Sequence, residues 1–152
     1  MSEKIIATNR KASFNYILQD RFETGLVLTG SETKSLRESS ANISEAYAMV
    51  KSHEIWLVNA NISPYEPANY LNHKPKRDRK LLLHKREILK IEQKLKERGL
   101  TIVPTKMYFK NGRAKLEIAL AKGKRSYDKR DSIKKRDINR EVSREFSRRG
   151  RT

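Results

Sequence analysis

The sequence predicts a β-rich α+β domain: a small OB-like antiparallel barrel with one long helix and one or two short ones, followed by a basic C-terminal tail that is disordered alone. Three observations predict it. At least six short β-rich runs are separated by turn residues, a single long stretch has helical periodicity, and after Ala121 the apolar pattern gives way to clustered cations. Closing a sheet of this size removes its exposed edges, and OB-like domains use the closed form to present a face to RNA. The expected division is a barrel over 1–121 and a tail over 122–152.

Taken in order, Ser13 to Phe22 alternates Phe14, Tyr16 and Leu18 with Asn15, Ile17 and Gln19, and Gly25 to Leu28 resumes as a second run. The pair reads as a hairpin. Gly30-Ser31 breaks the pattern, and Glu32 to Glu38 has a helix-compatible composition with Ser31 as its candidate N-cap. Tyr47 to Val50 and Ile55 to Val58 flank the polar Lys51-Ser52-His53-Glu54, a second hairpin. Asn59 to Lys80 contains Pro64, Pro67 and Pro75 with little periodicity and reads as a long loop.

The long helix is expected from about Lys80 to Arg98, with Leu81, Ile88, Ile91 and Leu95 on one face and Gly99 as its C-cap. Thr101 to Lys110 and Arg113 to Ala121 follow as strands joined by Asn111-Gly112, the pair a two-residue type I′ turn prefers because both positions tolerate positive φ. In the second arm Ala114, Leu116, Ile118 and Leu120 face one way while Arg113, Lys115 and Glu117 face the other.

Composition bounds the function. The 152 residues contain 35 Lys plus Arg against 18 Asp plus Glu, a net charge of +17. One domain of this length buries roughly 70% of the surface its unfolded chain exposes. The absence of cysteine excludes disulfides, thiolate zinc sites and a cysteine nucleophile. No apolar stretch approaches the ~20 residues that span a bilayer, and Met1 to Arg10 has no signal-like apolar run, so a soluble cytoplasmic protein is expected.

From Lys122 to Thr152 there are 13 Lys or Arg against 5 Asp or Glu, and Lys74 to Arg86 forms a second basic block with Arg77, Arg79, Lys80 and Lys85. Such clusters attract polyanions by counterion release, and nucleic acid is the favoured partner. A membrane partner would need a wide apolar helix face, and the tail offers only a thin stripe of Ile138, Val142 and Phe146.

No catalytic or metal constellation is visible. His53, His73 and His84 do not pair at helical spacing, and neither GxxxxGK[ST] nor GxGxxG occurs. No metal, cofactor or small-molecule substrate is expected, although a basic ribonuclease assembled from distant residues stays open, as does a general translation-associated OB-like protein. Gly123 reads as a hinge at the tail's base. Tyr127, set among Lys124, Arg125, Lys129 and Arg130, is a candidate for base stacking or for packing at the barrel's exit.

Read in order, Asn9-Arg10-Lys11-Ala12, Glu23 to Leu28, Gly30 to Arg37, Arg79 to His84, Gly99 to Pro104, and Lys122-Gly123-Lys124 with Tyr127 to Arg130 resemble the small protein B family, the bacterial SsrA-binding proteins. The resemblance covers nearly the whole chain. It implies an OB-like body without catalytic activity that binds the tRNA-like domain of transfer-messenger RNA in trans-translation. The complex, carried by elongation factor Tu with GTP, would enter stalled ribosomes, with the tail helical in the empty mRNA channel near the small subunit's decoding centre.

Position by position, the resemblance implies RNA binding by Asn9, Glu23 and Leu82, with Arg10, Lys11, Lys34, Lys80 and His84 in the same motifs. Glu23 would accept hydrogen bonds from base or ribose donors or orient a neighbouring cation. Leu82 would contact RNA or buttress the barrel, its apolar character favouring the second. At the decoding centre the resemblance implies Gly123, Lys124, Tyr127, Asp128, Lys129 and Arg130, then Lys134, Lys135 and Arg136. Thr33, Ser39 and Glu45-Ala46 depart from the family's usual Val, Gly and Asp-Ser, which leaves the turn at Ser39 as the altered feature.

Overall fold

The structure, a computed structural model, describes residues 3–124. Nine strands and three α-helices follow in the order β1 (Glu3–Thr8), α1 (Arg10–Asn15), β2 (Tyr16–Leu26), α2 (Gly30–Arg37), β3 (Ala41–Asn42), β4 (Tyr47–Lys51), β5 (Glu54–Val58), β6 (Asn61–Ile62), β7 (Arg79–Leu82), α3 (Lys85–Arg98), β8 (Thr101–Lys110) and β9 (Arg113–Gly123). Antiparallel pairings run β8-β4-β5-β7-β2-β9, and β9 pairs back onto β8, so the sheet closes as a ring with β1 added on β8. This is the closed β-rich α+β architecture the sequence predicts. The tail residues Tyr127, Asp128, Lys129, Arg130, Lys134, Lys135 and Arg136 lie outside the described residues.

The β8–β9 hairpin is as expected, with Asn111 at φ 52° and Gly112 at φ 75°. β4 and β5 join through Ser52 and His53, which also take positive φ, so this hairpin needs only a two-residue turn. The inward parity of β9 packs Leu116, Ile118 and Leu120 into the core with Leu57, Leu81, Ile91 and Met107. Burial also extends to Ala119 and Ala121, because α1 covers the opposite side of the sheet there: Ala12 packs with Val103 and Ala121.

Four expectations are corrected. The hairpin expected between Ser13 and Leu28 is instead helix α1 followed by one long strand. Asn9 caps a short helix that takes Ser13 to Asn15, and β2 then runs through Gly25, shifted in register between Leu18 and Arg21, with β9 and β7 as its neighbours. The N-cap of α2 is Thr29, not Ser31. The Thr29 hydroxyl accepts from the Glu32 backbone N–H at 3.4 Å, and the Glu32 carboxylate accepts from the Thr29 backbone N–H at 2.9 Å.

The loop expected over Asn59 to Lys80 contains β6, a 3₁₀ turn at Glu66–Leu71 and the start of β7. The long helix starts at Lys85, not Lys80. Arg79 to Leu82 pair instead with β5 and β2, since Leu81 is more stable buried in the closed sheet than on a helix end, and the Glu87 carboxylate accepts from the His84 N–H at 3.2 Å to begin α3 there.

Arg79 is the least expected core residue. It and Glu32 are fully buried and ion-paired, and Arg77 adds a second contact to the same carboxylate at 2.6 Å. The remaining Arg79 donors reach the carbonyls of Ala60 and Arg77 at 2.9 Å and of Pro75 at 3.1 Å. A buried guanidinium is tolerated only when its donors are satisfied in this way. The network fastens the 59–80 segment to α2 and sets the position of β7, which carries Lys80 and Leu82.

Candidate nucleic-acid interface

The side chains of β8, β9, β2 and β7 that do not enter the core make the outer face of the ring. Strand register brings them together. Tyr108 lies opposite Lys115, Lys106 and Glu23 are both opposite Glu117, and Gly25 is opposite both Lys115 and Leu82. The face therefore combines Lys106, Lys110, Lys115 and Arg21 with Glu23, Glu117 and an apolar margin at Leu82.

Much of this charge is internally ordered. Lys110 Nζ lies 3.4 Å from Glu23, Arg21 is 3.5 Å from Glu117, and Lys106 is 3.8 Å from Glu3 and 5.0 Å from the Tyr108 ring centroid. Burial pushes the Tyr108 hydroxyl up to about 12, helped by the charge of Glu23 and Glu3 and a hydrogen bond to Glu23, so it stays a donor at neutral pH. Glu23 pairs with Lys110 while its side chain remains 40% exposed.

A cleft of about 320 Å³ opens at the β7 margin of this face, lined by Glu23, Gly25, Leu82, His84, Glu87 and Lys115. A Cβ at Gly25 would lie 3.3 Å from Leu82 Cβ, a tight contact that would crowd the cleft floor. Leu82 corrects the expectation of a buttress. It is 51% exposed, projecting outward while Leu81, its neighbour, enters the core.

The structure brings Glu23, Leu82 and His84 together in this cleft, with Lys80 on the same side of β7 and 3.2 Å from Glu54. It does not bring in the others. Asn9 is buried: its side chain donates to the Pro104 carbonyl at 2.8 Å and accepts from the Ala12 N–H at 3.2 Å, so it fixes α1 to β8. Arg10 is exposed on α1. Lys11 is ion-paired to Glu45 at a separate cleft of about 470 Å³ that includes Phe14, Tyr16 and Tyr47.

That second cleft adjoins the Tyr16–Gly123 pairing, nine residues along β2 from Gly25, at most roughly 30 Å of strand. Lys34 is on α2, 5.8 Å from the Tyr65 ring. Gly123 ends β9, and the Lys124 backbone N–H donates to the Asn15 carbonyl at 2.9 Å. Lys106, Tyr108, Lys110, Lys115 and Arg21 lie on this face without standing in any of the sequence motifs, although the outward parity of Lys115 in β9 is itself a signal.

The histidines do not converge: the side chain of His53 contacts Glu92 at 3.1 Å, and that of His73 lies between Ser31 and the Ile62 carbonyl. No cluster of metal-ligating side chains occurs among the described residues, and no helix there is long and apolar enough to cross a membrane. A closed antiparallel sheet with a cationic, cleft-bearing outer face belongs to the class of small domains suited to binding a polyanion such as nucleic acid.

Comparison with known proteins gives the class its family. The family model for SmpB protein matches residues 6–148. The chain is 55% identical over 146 residues to the SsrA-binding protein of Sulfurihydrogenibium sp. (strain YO3AOP1), covering 96% of each, and 56% identical over 148 residues to that of Afipia carboxidovorans, covering 97% of this chain and 94% of the relative. A solved structure described as "tmRNA-SmpB: a journey to the center of the bacterial ribosome" matches with TM-score 0.66 and 39% identity, over 83% of this chain and 92% of that one. The chain belongs to the SmpB protein family.

Proposed function

We propose that this protein is a non-catalytic RNA-binding adaptor of trans-translation, which grips the tRNA-like domain of transfer-messenger RNA at the Glu23–Leu82–His84 cleft. The observation that carries this reading is the convergence of residues from two separate sequence motifs, Glu23 from one and Leu82 and His84 from the other, on one outward-opening cleft, with an exposed leucine on the margin of a cationic face. Leu82 offers apolar contact to a base or ribose. Lys115 and the Glu23-oriented Lys110 offer charge to phosphates, and Glu23 offers an acceptor that an anionic backbone cannot supply.

Family membership supports the remaining parts of this reading. The segment from Gly123 onward, with Lys124, Tyr127, Asp128, Lys129, Arg130, Lys134, Lys135 and Arg136, reads the vacant mRNA channel of the small ribosomal subunit, with Tyr127 stacking on an RNA base. Elongation factor Tu with GTP carries the loaded complex to the ribosome. An activity on ribosomes is cytoplasmic.

Leu82→Asp tests the cleft. The residue is half exposed, so the variant retains the parent's melting temperature within a few degrees, while affinity for the tRNA-like domain falls at least tenfold, about 1.4 kcal/mol. Leu82→Met retains binding. Unchanged affinity in the aspartate variant, measured by fluorescence anisotropy on a folded sample, contradicts the assignment.

A further inference from the structure

The cleft carries selectivity, but it does not use a cluster of cations on α3 that makes no ion pair among the described residues. Ile91 is the buried residue of this helix, with Ile88 and Leu95 packed on the core. The opposite side exposes Lys85, Arg86, Leu89, Lys90, Gln93, Lys96 and Glu97. At about 100° per residue these fall within one arc. The arc holds four cations and one acid, and that acid is near the helix's C-terminal end.

The pairing of these cations differs from that of the sheet. Arg21, Lys106 and Lys110 each face a carboxylate, as does Lys94 on the flank of α3, which is ion-paired with Asp20. Lys85, Arg86, Lys90 and Lys96 make no ion pair among the described residues. Arg86 and Lys90 also stand four apart, a like-charge spacing that disfavours the helix until an anion screens it. The arc is contiguous with the cleft, because His84 and Glu87, at the start of α3, line both the helix's first turn and the cleft wall.

We propose that the solvent face of α3 is a second contact surface for RNA phosphates, setting the strength of RNA binding while the cleft sets its selectivity. The inference rests on the reading of the cleft as an RNA site. From Lys85 to Lys96 the face runs about 16 Å, enough to meet successive phosphates of one strand leaving the cleft. An anionic membrane is the other surface that rewards cations, but a helix lying on lipid needs a broad apolar face, and this arc has Leu89 alone.

The test is a salt series of RNA binding by the full chain, using the tRNA-like domain and an ordinary tRNA. The variant Lys85→Gln/Arg86→Gln/Lys90→Gln/Lys96→Gln flattens the dependence of log K on log salt by about 3, at roughly 0.7 to 0.9 for each phosphate contact. It weakens both RNAs by a similar factor and leaves their ratio unchanged. The charge-keeping variant Lys85→Arg/Arg86→Lys/Lys90→Arg/Lys96→Arg retains the parent slope.

An unchanged slope in the glutamine variant overturns the inference, as does an equal loss in the charge-keeping variant. Loss of binding to phosphatidylserine vesicles with RNA binding intact assigns the face to a membrane and also overturns it. A parent chain that binds both RNAs alike overturns the reading of the cleft, and the slope comparison still decides α3.

Discussion

Glu32→Ala is expected to destabilise the body by about 3 to 5 kcal/mol, because it leaves the fully buried Arg79 guanidinium without its counter-charge. The same change removes the capping acceptor of α2 and one of the partners of Arg77. In a domain of this size the melting temperature should fall on the order of 10 to 20 °C, read by circular dichroism. Replacing Lys34, which is exposed on the same helix, should shift it by no more than a degree or two. The result reaches function through β7: loosening the network releases the strand that carries Leu82 into the cleft.

The same carboxylate gives this stability a pH signature. Burial pushes Glu32 up, but hydrogen bonds from Arg77 and the Thr29 backbone, with the Arg79 charge, outweigh it and hold the group below its ordinary value. A group whose folded pKa is depressed contributes stability above its unfolded pKa and loses it as pH falls through the folded one. Stability should therefore be level from neutrality down to about pH 5 and decline below the ordinary carboxylate value near 4.3. Glu32→Gln should be less stable than the parent near neutrality, lack this component of the acid decline, and so approach the parent at the acid end.

The second large effect is separation of binding from rescue. Ending the chain after Arg130 should leave affinity for the tRNA-like domain within about threefold of the parent at moderate salt, because it spares the cleft and the α3 face, the surfaces assigned to the grip on that RNA. Tagging of nascent chains on ribosomes stalled without a stop codon should fall to background. The measurement is a reconstituted rescue reaction run beside a binding titration. Loss of both activities together would mean that the segment is part of the RNA grip, and retention of both would remove its role on the ribosome.

Strong local chemistry made part of this fold legible in the sequence. Asn111-Gly112 specifies its own turn, and the alternation of Leu116, Ile118 and Leu120 specifies which side of β9 enters the core. The elements that escaped are short or ambiguous. β1 and α1 have only six residues each, too few to show a period, and α1 depends on Asn9 bonding across the chain to Pro104. Leu81-Leu82-Leu83 suits a helix start as well as a strand, and only pairing with β5 and β2 decides it.

The candidate site divides in the same way. Glu23 stands in one motif and Leu82 and His84 in another, and it is register in a closed ring, which no local pattern encodes, that brings the two motifs together. Arg79 was counted with the basic block and proves to be core, because its partner is 47 residues away. Asn9, expected at the RNA interface, has its amide committed to the Pro104 carbonyl and the Ala12 N–H and fixes α1 to β8, a bond between distant residues that no local pattern encodes.

The measurement that bears most directly on the adaptor reading compares binding of the full chain to the tRNA-like domain of transfer-messenger RNA, an ordinary tRNA and a random RNA of equal length, from low to high salt. Recognition by a shaped cleft predicts that all three lose affinity as salt rises while the tRNA-like domain keeps an advantage of at least tenfold. Three RNAs that bind alike and release together would describe a generic polycation and contradict the account.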